Sequence, residues 1–179
     1  MLLVITGKSA SGKDTIIAKI LEKYPNFKKV LTTTTRPPRK GEINGIDYNF
    51  ISETEFIDKI QKQEFLEHVK YGGNYYGTEK SRITPEGNLI WKIDPSMAGK
   101  AKEVFPDSKV IYITADDKVV LERLKIRGID GEEFQERMAD DQEFWDQYKN
   151  KYDYVIENVP GKLDETVNRV AKIINEHKI

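Results

Sequence analysis

A glycine-rich segment near the start of the chain has the spacing of a phosphate-binding loop. Residues 7–13, Gly7-Lys8-Ser9-Ala10-Ser11-Gly12-Lys13, match G-x-x-x-x-G-K. In this motif backbone N–H groups and the next helix N-terminus cradle phosphates, while the lysine reaches the terminal ones. An ordinary glycine-rich turn is the simpler interpretation. The segment follows an apolar run and leads into helical periodicity, the context that the motif requires, so we predict phosphate binding here.

The residue after the lysine departs from the motif. The pattern places Ser or Thr there as a Mg²⁺ ligand, whereas this chain has Asp14 followed by Thr15. A carboxylate is a good ligand for a hard cation, so Asp14 is a candidate Mg²⁺ ligand. Its negative charge next to phosphates would require the metal or another cation close by.

Composition excludes several kinds of chemistry. The chain has 179 residues, a net charge of -1, no cysteine and two histidines, so thiolate metal sites and a cysteine nucleophile are excluded and a Ser-His-Asp triad is improbable. Near-zero net charge argues against a nucleic-acid partner. No apolar run is long enough to span a membrane, so we expect a cytoplasmic protein.

Hydrophobic periodicity predicts a single α/β domain with a parallel sheet. The predicted strands are 2–6, 29–34, 88–94, 109–114 and 154–157. The predicted helices are 12–24, 97–105, 117–127, 132–148 and 163–176. The segment from 32 to about 85 breaks this rhythm with a Pro-Pro loop, a Ser52-x-x-Glu55 capping box and a predicted hairpin over 65–76, and indicates an inserted subdomain.

Several motifs in and beyond this insert resemble those of guanylate kinases, in order and in spacing from the glycine-rich loop. They are Thr32-Thr-Thr-Thr-Arg36-Pro-Pro-Arg39-Lys-Gly41-Glu42, Asn44-Gly45-Ile46-Asp47-Tyr48-Asn49-Phe50, Glu64-Phe65-Leu66-Glu67, Gly73-Asn74-Tyr75-Tyr76-Gly77-Thr78 and Arg123-Leu124-x-x-Arg127-Gly128. The resemblance covers nearly the whole chain. It implies transfer of the γ-phosphoryl group of MgATP to GMP or dGMP.

The same resemblance implies a three-part fold. A P-loop NTPase-type parallel β-sheet core flanked by helices (1–31, 86–126 and 147–179) would carry a mixed α+β GMP-binding subdomain (32–85) and a helical lid (127–146). Mg²⁺ with ATP would be the cofactor. ATP and GMP would be the partners of a monomer or homodimer.

Guanine chemistry agrees with the implied acceptor site. One carboxylate accepts both N1–H and the 2-amino group, and Glu67 is the matching position, whereas hydroxyl groups suit O6. The planar guanidinium group of arginine and the phenol hydroxyl of tyrosine are suitable donors for the acceptor phosphate. The implied GMP-binding residues are Thr32, Arg36, Arg39, Tyr48, Glu67, Tyr76, Thr78 and Asp94. Taken alone, Glu67 is equally well explained as the polar face of a hairpin strand.

The donor side and the lid follow from the motif and the resemblance. The ATP-binding residues would be Gly7, Lys8, Ser9, Ala10, Ser11, Gly12, Lys13, Asp14, Thr15 and Asn158. The catalytic residues would be Lys13, Arg36, Arg127 and Arg137, the last two swinging over the transferring group. Without the resemblance, Arg137 would be explained as a surface pair with Glu133 or Asp141, four residues to either side.

A second departure lies in the strand 88–94. The family typically has two acids two residues apart there; Asp94 is kept, but Lys92 replaces the other. A lysine in a buried parallel strand is costly unless paired. We predict that Lys92 pairs with Asp14, so that the two departures compensate. Open alternatives for the whole chain are a related phosphotransferase acting on ribose 1,5-bisphosphate or another nucleoside monophosphate, and a non-catalytic interaction module.

Overall fold

The computed structural model describes residues 1–84, 87–129 and 131–177. Within them lie nine strands and seven helices. The strands are β1 Leu2–Gly7, β2 Phe27–Lys29, β3 Thr33–Thr34, β4 Asn49–Phe50, β5 Phe65–Tyr71, β6 Asn74–Glu79, β7 Asn88–Lys92, β8 Lys109–Thr114 and β9 Tyr154–Glu157. The helices are α1 Lys13–Lys23, α2 Glu53–Gln61, α3 Pro95–Ala98, α4 Ala101–Val104, α5 Asp117–Ile126, α6 Gly131–Tyr148 and α7 Leu163–Glu176.

A five-stranded parallel sheet with the order β2-β7-β1-β8-β9 forms the centre of the molecule. Side chains alternate between its faces. Leu3 and Ile5 of β1 pack in a cluster with α1 and α7, and Val4 packs in a second cluster with α3, α4 and α6. Both faces of the sheet are therefore covered, as parallel sheets require, and the predicted α/β fold class is confirmed.

The insert forms a second, four-stranded sheet with the order β4-β3-β6-β5. Its hairpin joins β5 to β6 through Gly72 and Gly73, whose φ angles of 55° and 75° suit a tight hairpin turn. The predicted capping box is present, because the Ser52 hydroxyl and the Glu55 carboxylate each bond the other residue's backbone N–H. The division into core, subdomain and lid stays a prediction, and its boundary between residues 85 and 86 lies outside the described residues.

Two predicted elements are wrong in their extent. The single strand expected over 29–34 is two strands in different sheets: Lys29 pairs with Ile90 in the core, whereas Thr33 pairs with Gly77 in the insert. The helix expected over 97–105 is two short helices, α3 and α4, interrupted at Gly99 and Lys100. Gly99 lies against the Tyr148 ring, where a Cβ atom would come within 2.2 Å of it.

Candidate active site

A cleft at the carboxyl edge of the core sheet gathers most of the predicted site residues. It holds about 1070 Å³ of empty space, counted to its open mouth. Loop 7–15, the β5–β6 hairpin, the end of β7 and helix α6 form its walls. Of the predicted residues only Lys8, Thr78 and Asn158 do not line it. Ligands of parallel α/β sheets bind at this edge.

The glycine-rich loop is held in shape by the residues behind it. Gly7 has φ 136°, and a Cβ atom there would lie 1.9 Å from the Ile113 carbonyl oxygen, so only glycine fits. The Asn158 side chain donates to the Ser11 carbonyl at 2.7 Å, and Arg123 donates to the Ala10 carbonyl at 2.9 Å. Asn158 therefore braces the loop from behind, and its contact with ATP stays a prediction.

Lys13 lies inside this loop and not in solvent. Its ammonium donates to the carbonyl oxygens of Gly7 at 2.7 Å and Lys8 at 2.6 Å. Desolvation by burial lowers its pKa to about 8, against the opposing charges of Asp141 and Asp14. The Lys8 ammonium turns away from the cleft to pair with Asp117.

The predicted ion pair between Asp14 and Lys92 is present. The Lys92 Nζ atom lies 2.6 Å from the Asp14 Oδ1 atom. Desolvation in the cleft opposes ionisation of Asp14, but the adjacent Lys92 outweighs it and lowers the Asp14 pKa to about 2. The two departures from the family pattern thus meet as opposite charges at the end of β7 and the start of α1.

Glu67, on strand β5 of the insert, lines the cleft. Its side chain accepts a hydrogen bond of 2.6 Å from the Thr78 hydroxyl, which in turn accepts one of 2.8 Å from the Trp91 indole. Burial raises the pKa of Glu67 to about 7, against the Thr78 hydrogen bond. Thr78 is fully buried behind Glu67, so its contact with a base stays a prediction. Asp94 caps α3 through Ser96, and burial raises its pKa.

Arginines and tyrosines line the neighbouring wall. The Arg36 guanidinium bonds both Glu42 oxygens, at 2.8 and 2.9 Å, and lies 5.5 Å from the centre of the Tyr48 ring. Tyr48 packs edge-on against Tyr76 at 6.3 Å. Arg39 is exposed at the rim. Thr32 is buried in the same wall.

Helix α6 closes the cleft from above. Arg137 is buried, with its guanidinium 5.3 Å from the centre of the Tyr71 ring. Its explanation as a surface pair with Asp141 is therefore wrong. The side chain of Glu133, the other candidate partner, lies outside the described residues. Arg127 lies at the exposed rim. Desolvation and then the charge of Arg39 lower its pKa.

Two cleft residues were missed by the sequence reasoning. The Asp141 carboxylate accepts a hydrogen bond of 2.8 Å from the Ser9 backbone N–H, and burial raises its pKa to about 6. The Tyr71 hydroxyl is 2.8 Å from the Ser9 hydroxyl. Both had a periodic signal: Asp141 lies one helical turn from Arg137, and Tyr71 shares a strand face with Glu67.

The residues around the loop fit a divalent cation through one ligand. One carboxylate oxygen of Asp14 accepts a hydrogen bond from Lys92. The Asp14 side chain is 70% exposed towards the cleft, so its second oxygen is available. Mg²⁺ is commonly held by one or two carboxylates together with substrate phosphates and waters. Among the residues that the structure describes, no three His, Cys, Asp or Glu side chains form a metal-binding cluster.

Comparisons with known proteins agree with this geometry. The guanylate kinase family model matches residues 1–177. The chain is 36% identical to a guanylate kinase of Prochlorococcus marinus subsp. pastoris, over 97% of this chain and 96% of that protein, and 36% identical to one of Clostridium perfringens, over 99% and 84%.

A solved structure gives the same result. The crystal structure of guanylate kinase from Anaplasma phagocytophilum superposes with a TM-score of 0.76 and 26% identity, covering 100% of this chain and 86% of that one. No helix in the described ranges is long and apolar enough to cross a membrane. The chain belongs to the guanylate kinase family.

Proposed function

We propose that this chain transfers the γ-phosphoryl group of ATP to GMP or dGMP, giving ADP and GDP or dGDP. The observation that carries the proposal is the buried carboxylate of Glu67, which is 7% exposed and lines the same cleft as Lys13. Family membership supports the same reaction. The other acceptors considered, and a purely structural role, have no comparable support.

Guanine selection rests on Glu67. When ionised, its carboxylate accepts the N1–H and 2-amino donors of guanine, whereas adenine presents no such donor pair. A pKa of about 7 means that the ionised form is readily reached at neutral pH and is stabilised further by those donors. Thr78 fixes the carboxylate, and Asp94 is the second acidic group of this wall.

The acceptor phosphate is assigned to the arginine and tyrosine wall. Arg36 presents a planar fork suited to a phosphate, and before substrate binds Glu42 holds that fork in place. Arg39, Tyr48 and Tyr76 add further donors. When the acceptor phosphate binds, it replaces Glu42 as the partner of Arg36, because it carries more negative charge than a carboxylate.

The donor triphosphate is assigned to the glycine-rich loop. Its backbone N–H groups and the start of α1 bind the phosphates, and Lys13 exchanges its two carbonyl acceptors for phosphate oxygens. Asp14 would hold Mg²⁺ through its second oxygen. A bound Mg²⁺ supplies charge neutralisation between the donor phosphates.

Catalysis requires alignment and charge neutralisation more than proton transfer. Arg127 begins the predicted lid and Arg137 lies in its helix α6. Both supply positive charge to the transferring group. The subdomain 32–85 and the lid 127–146 are proposed to close over both nucleotides and exclude water. We propose that the enzyme works in the cytoplasm, as a monomer or homodimer.

A coupled assay tests the proposal. Purified protein with ATP and Mg²⁺ is offered GMP, dGMP, AMP, UMP or ribose 1,5-bisphosphate, and ADP release is followed. Turnover on GMP or dGMP alone is expected. Turnover confined to another acceptor would replace the proposed substrate, and no turnover on any acceptor would indicate a non-catalytic interaction module.

A further inference from the structure

Lys92 is a buried cation at the carboxyl edge of the core sheet. It ends β7, its side chain is 9% exposed, and it lines the cleft. Its ammonium faces the Asp14 carboxylate at 2.6 Å.

The ion pair with Asp14 does not by itself explain this lysine. Asp14 is 70% exposed, so water alone would satisfy its charge, whereas Lys92 has been taken out of water. A buried ion pair is often no more stabilising than apolar residues of similar volume. An ammonium has three N–H donors. Asp14 accepts one and Tyr48 is a second side-chain partner, which leaves one N–H for another acceptor.

The surroundings indicate which acceptor that is. The Lys92 Nζ atom lies 4.5 Å from the centre of the Tyr48 ring, and the Arg36 guanidinium lies 5.5 Å from the same centre. Tyr48 and Arg36 form the wall assigned above to the acceptor phosphate. On the other side, the partner Asp14 directly follows Lys13 of the glycine-rich loop.

We propose that Lys92 is a further substrate-binding residue, whose ammonium donates to the phosphate of the acceptor nucleotide alongside its ion pair with Asp14. This rests on the proposed function. Two highly charged phosphate groups must approach each other in the reaction, and a fixed cation at their junction lowers that repulsion without rearranging solvent. Lysine suits the position because it is a compact point charge.

Binding measurements without triphosphate or metal test this. The dissociation constants of GMP and guanosine are measured by calorimetry for the wild type and for Asp14→Asn/Lys92→Met, which removes both charges together. GMP is expected to bind about 10- to 100-fold more weakly to the variant, the loss of one charge-assisted hydrogen bond, with guanosine unchanged. Lys92→Met alone is expected to lose more GMP affinity, because Asp14 then repels the phosphate.

Three results would overturn the assignment. Equal losses of affinity for GMP and for guanosine would show that Lys92 has a structural role. A loss of affinity for ATP without one for GMP would move Lys92 to the donor site. Unchanged affinity for GMP would remove Lys92 from the substrate site. Lys102→Met is the control, because Lys102 pairs with Asp153 and does not line the cleft.

A second variant keeps the test valid if the first pair fails to fold. Asp14→Asn retains Lys92 and frees its ammonium, so GMP should bind at least as tightly as to the wild type; weaker GMP binding would contradict the proposal. A wild type that binds AMP as well as GMP would instead refute the proposed function, which separates the two failures.

Discussion

The proposed donor side of the cleft, residues 7–14, is one continuous loop braced by residues behind it, whereas the proposed acceptor side is built from paired side chains of separate elements. Gly7 and the braces from Asn158 and Arg123 fix the donor loop before any ligand arrives. On the acceptor side, Arg36 is held by Glu42 and Glu67 by Thr78. We therefore expect donor binding to use a preformed loop in which Lys13 exchanges its partners, and acceptor binding to require several side chains to exchange theirs.

The largest expected effect comes from a residue that joins the two sides. Arg137→Met removes the lid charge from the transferring group, and an arginine in this role contributes about 10³- to 10⁵-fold in rate. We expect kcat to fall by that factor while GMP and ATP dissociation constants change only a few-fold. Rapid-quench and calorimetric measurements check this, with the exposed Arg169→Met as control. A loss confined to binding would contradict it.

Asp141 of helix α6, which bonds the donor loop, is a carboxylate whose removal should stabilise the fold. Asp141 is 2% exposed, and its folded pKa of about 6 exceeds the ordinary 3.8. The folded state therefore binds more protons than the unfolded state between those values, so stability falls as pH rises from about 4 to about 6. Above pH 6 the buried carboxylate lowers the free energy of unfolding by about 3 kcal/mol.

Asp141→Asn should raise the free energy of unfolding by that amount at pH 7 and by little at pH 4. Urea unfolding of both proteins from pH 4 to 7 checks this, and taking their difference cancels the similar slope that Glu67 contributes. Equal stability of the two proteins at pH 7 would show that the Asp141 carboxylate is well solvated or fully compensated.

On the acceptor side, Glu67→Gln should separate base recognition from donor binding. The amide keeps one acceptor but adds a donor against guanine, so kcat/KM for GMP should fall about 10- to 100-fold. ATP affinity should not change, and the protein should be more stable at pH 8 because a buried carboxylate is gone. The matched control is the exposed Glu53→Gln. Unchanged GMP turnover would refute the assignment.

The same contrast explains what the sequence could predict. The donor loop is local: a strand, a glycine-rich turn and a helix in one continuous segment, so β1, the loop and α1 were all predictable. Strand Lys109–Thr114 is a continuous apolar run and helix Leu163–Glu176 has an uninterrupted helical period, and both match their predicted bounds. By contrast, the threonine run after Lys29 has strand propensity throughout, and only pairing with Gly77 reveals that Thr33 belongs to another sheet.

Long-range contacts account for the rest of the site. The pair of Asp14 and Lys92 was predictable because each residue breaks a known pattern and the charges are opposite. The bond between Asp141 and the Ser9 N–H joins residues 132 positions apart, so its helical spacing from Arg137 places it on the same face but does not reveal this partner. Which acid enters the donor loop is decided by how α6 packs.

The smallest predicted effect is a pH dependence confined to the acceptor side. Burial raises the pKa of Glu67 to about 7, and only the ionised carboxylate accepts both guanine donors. About a tenth of the free protein is ionised at pH 6 and about nine-tenths at pH 8, so guanosine should bind about 10-fold more tightly at pH 8. Guanosine is the probe because the phosphate of GMP has its own ionisation near pH 6.

Glu67→Gln supplies the control for this pH dependence, since its guanosine affinity should be flat between pH 6 and 8. A guanosine affinity that falls as pH rises would mean that the protonated carboxyl is the binding form, and the acceptor side would then recognise its base through a donor rather than an acceptor.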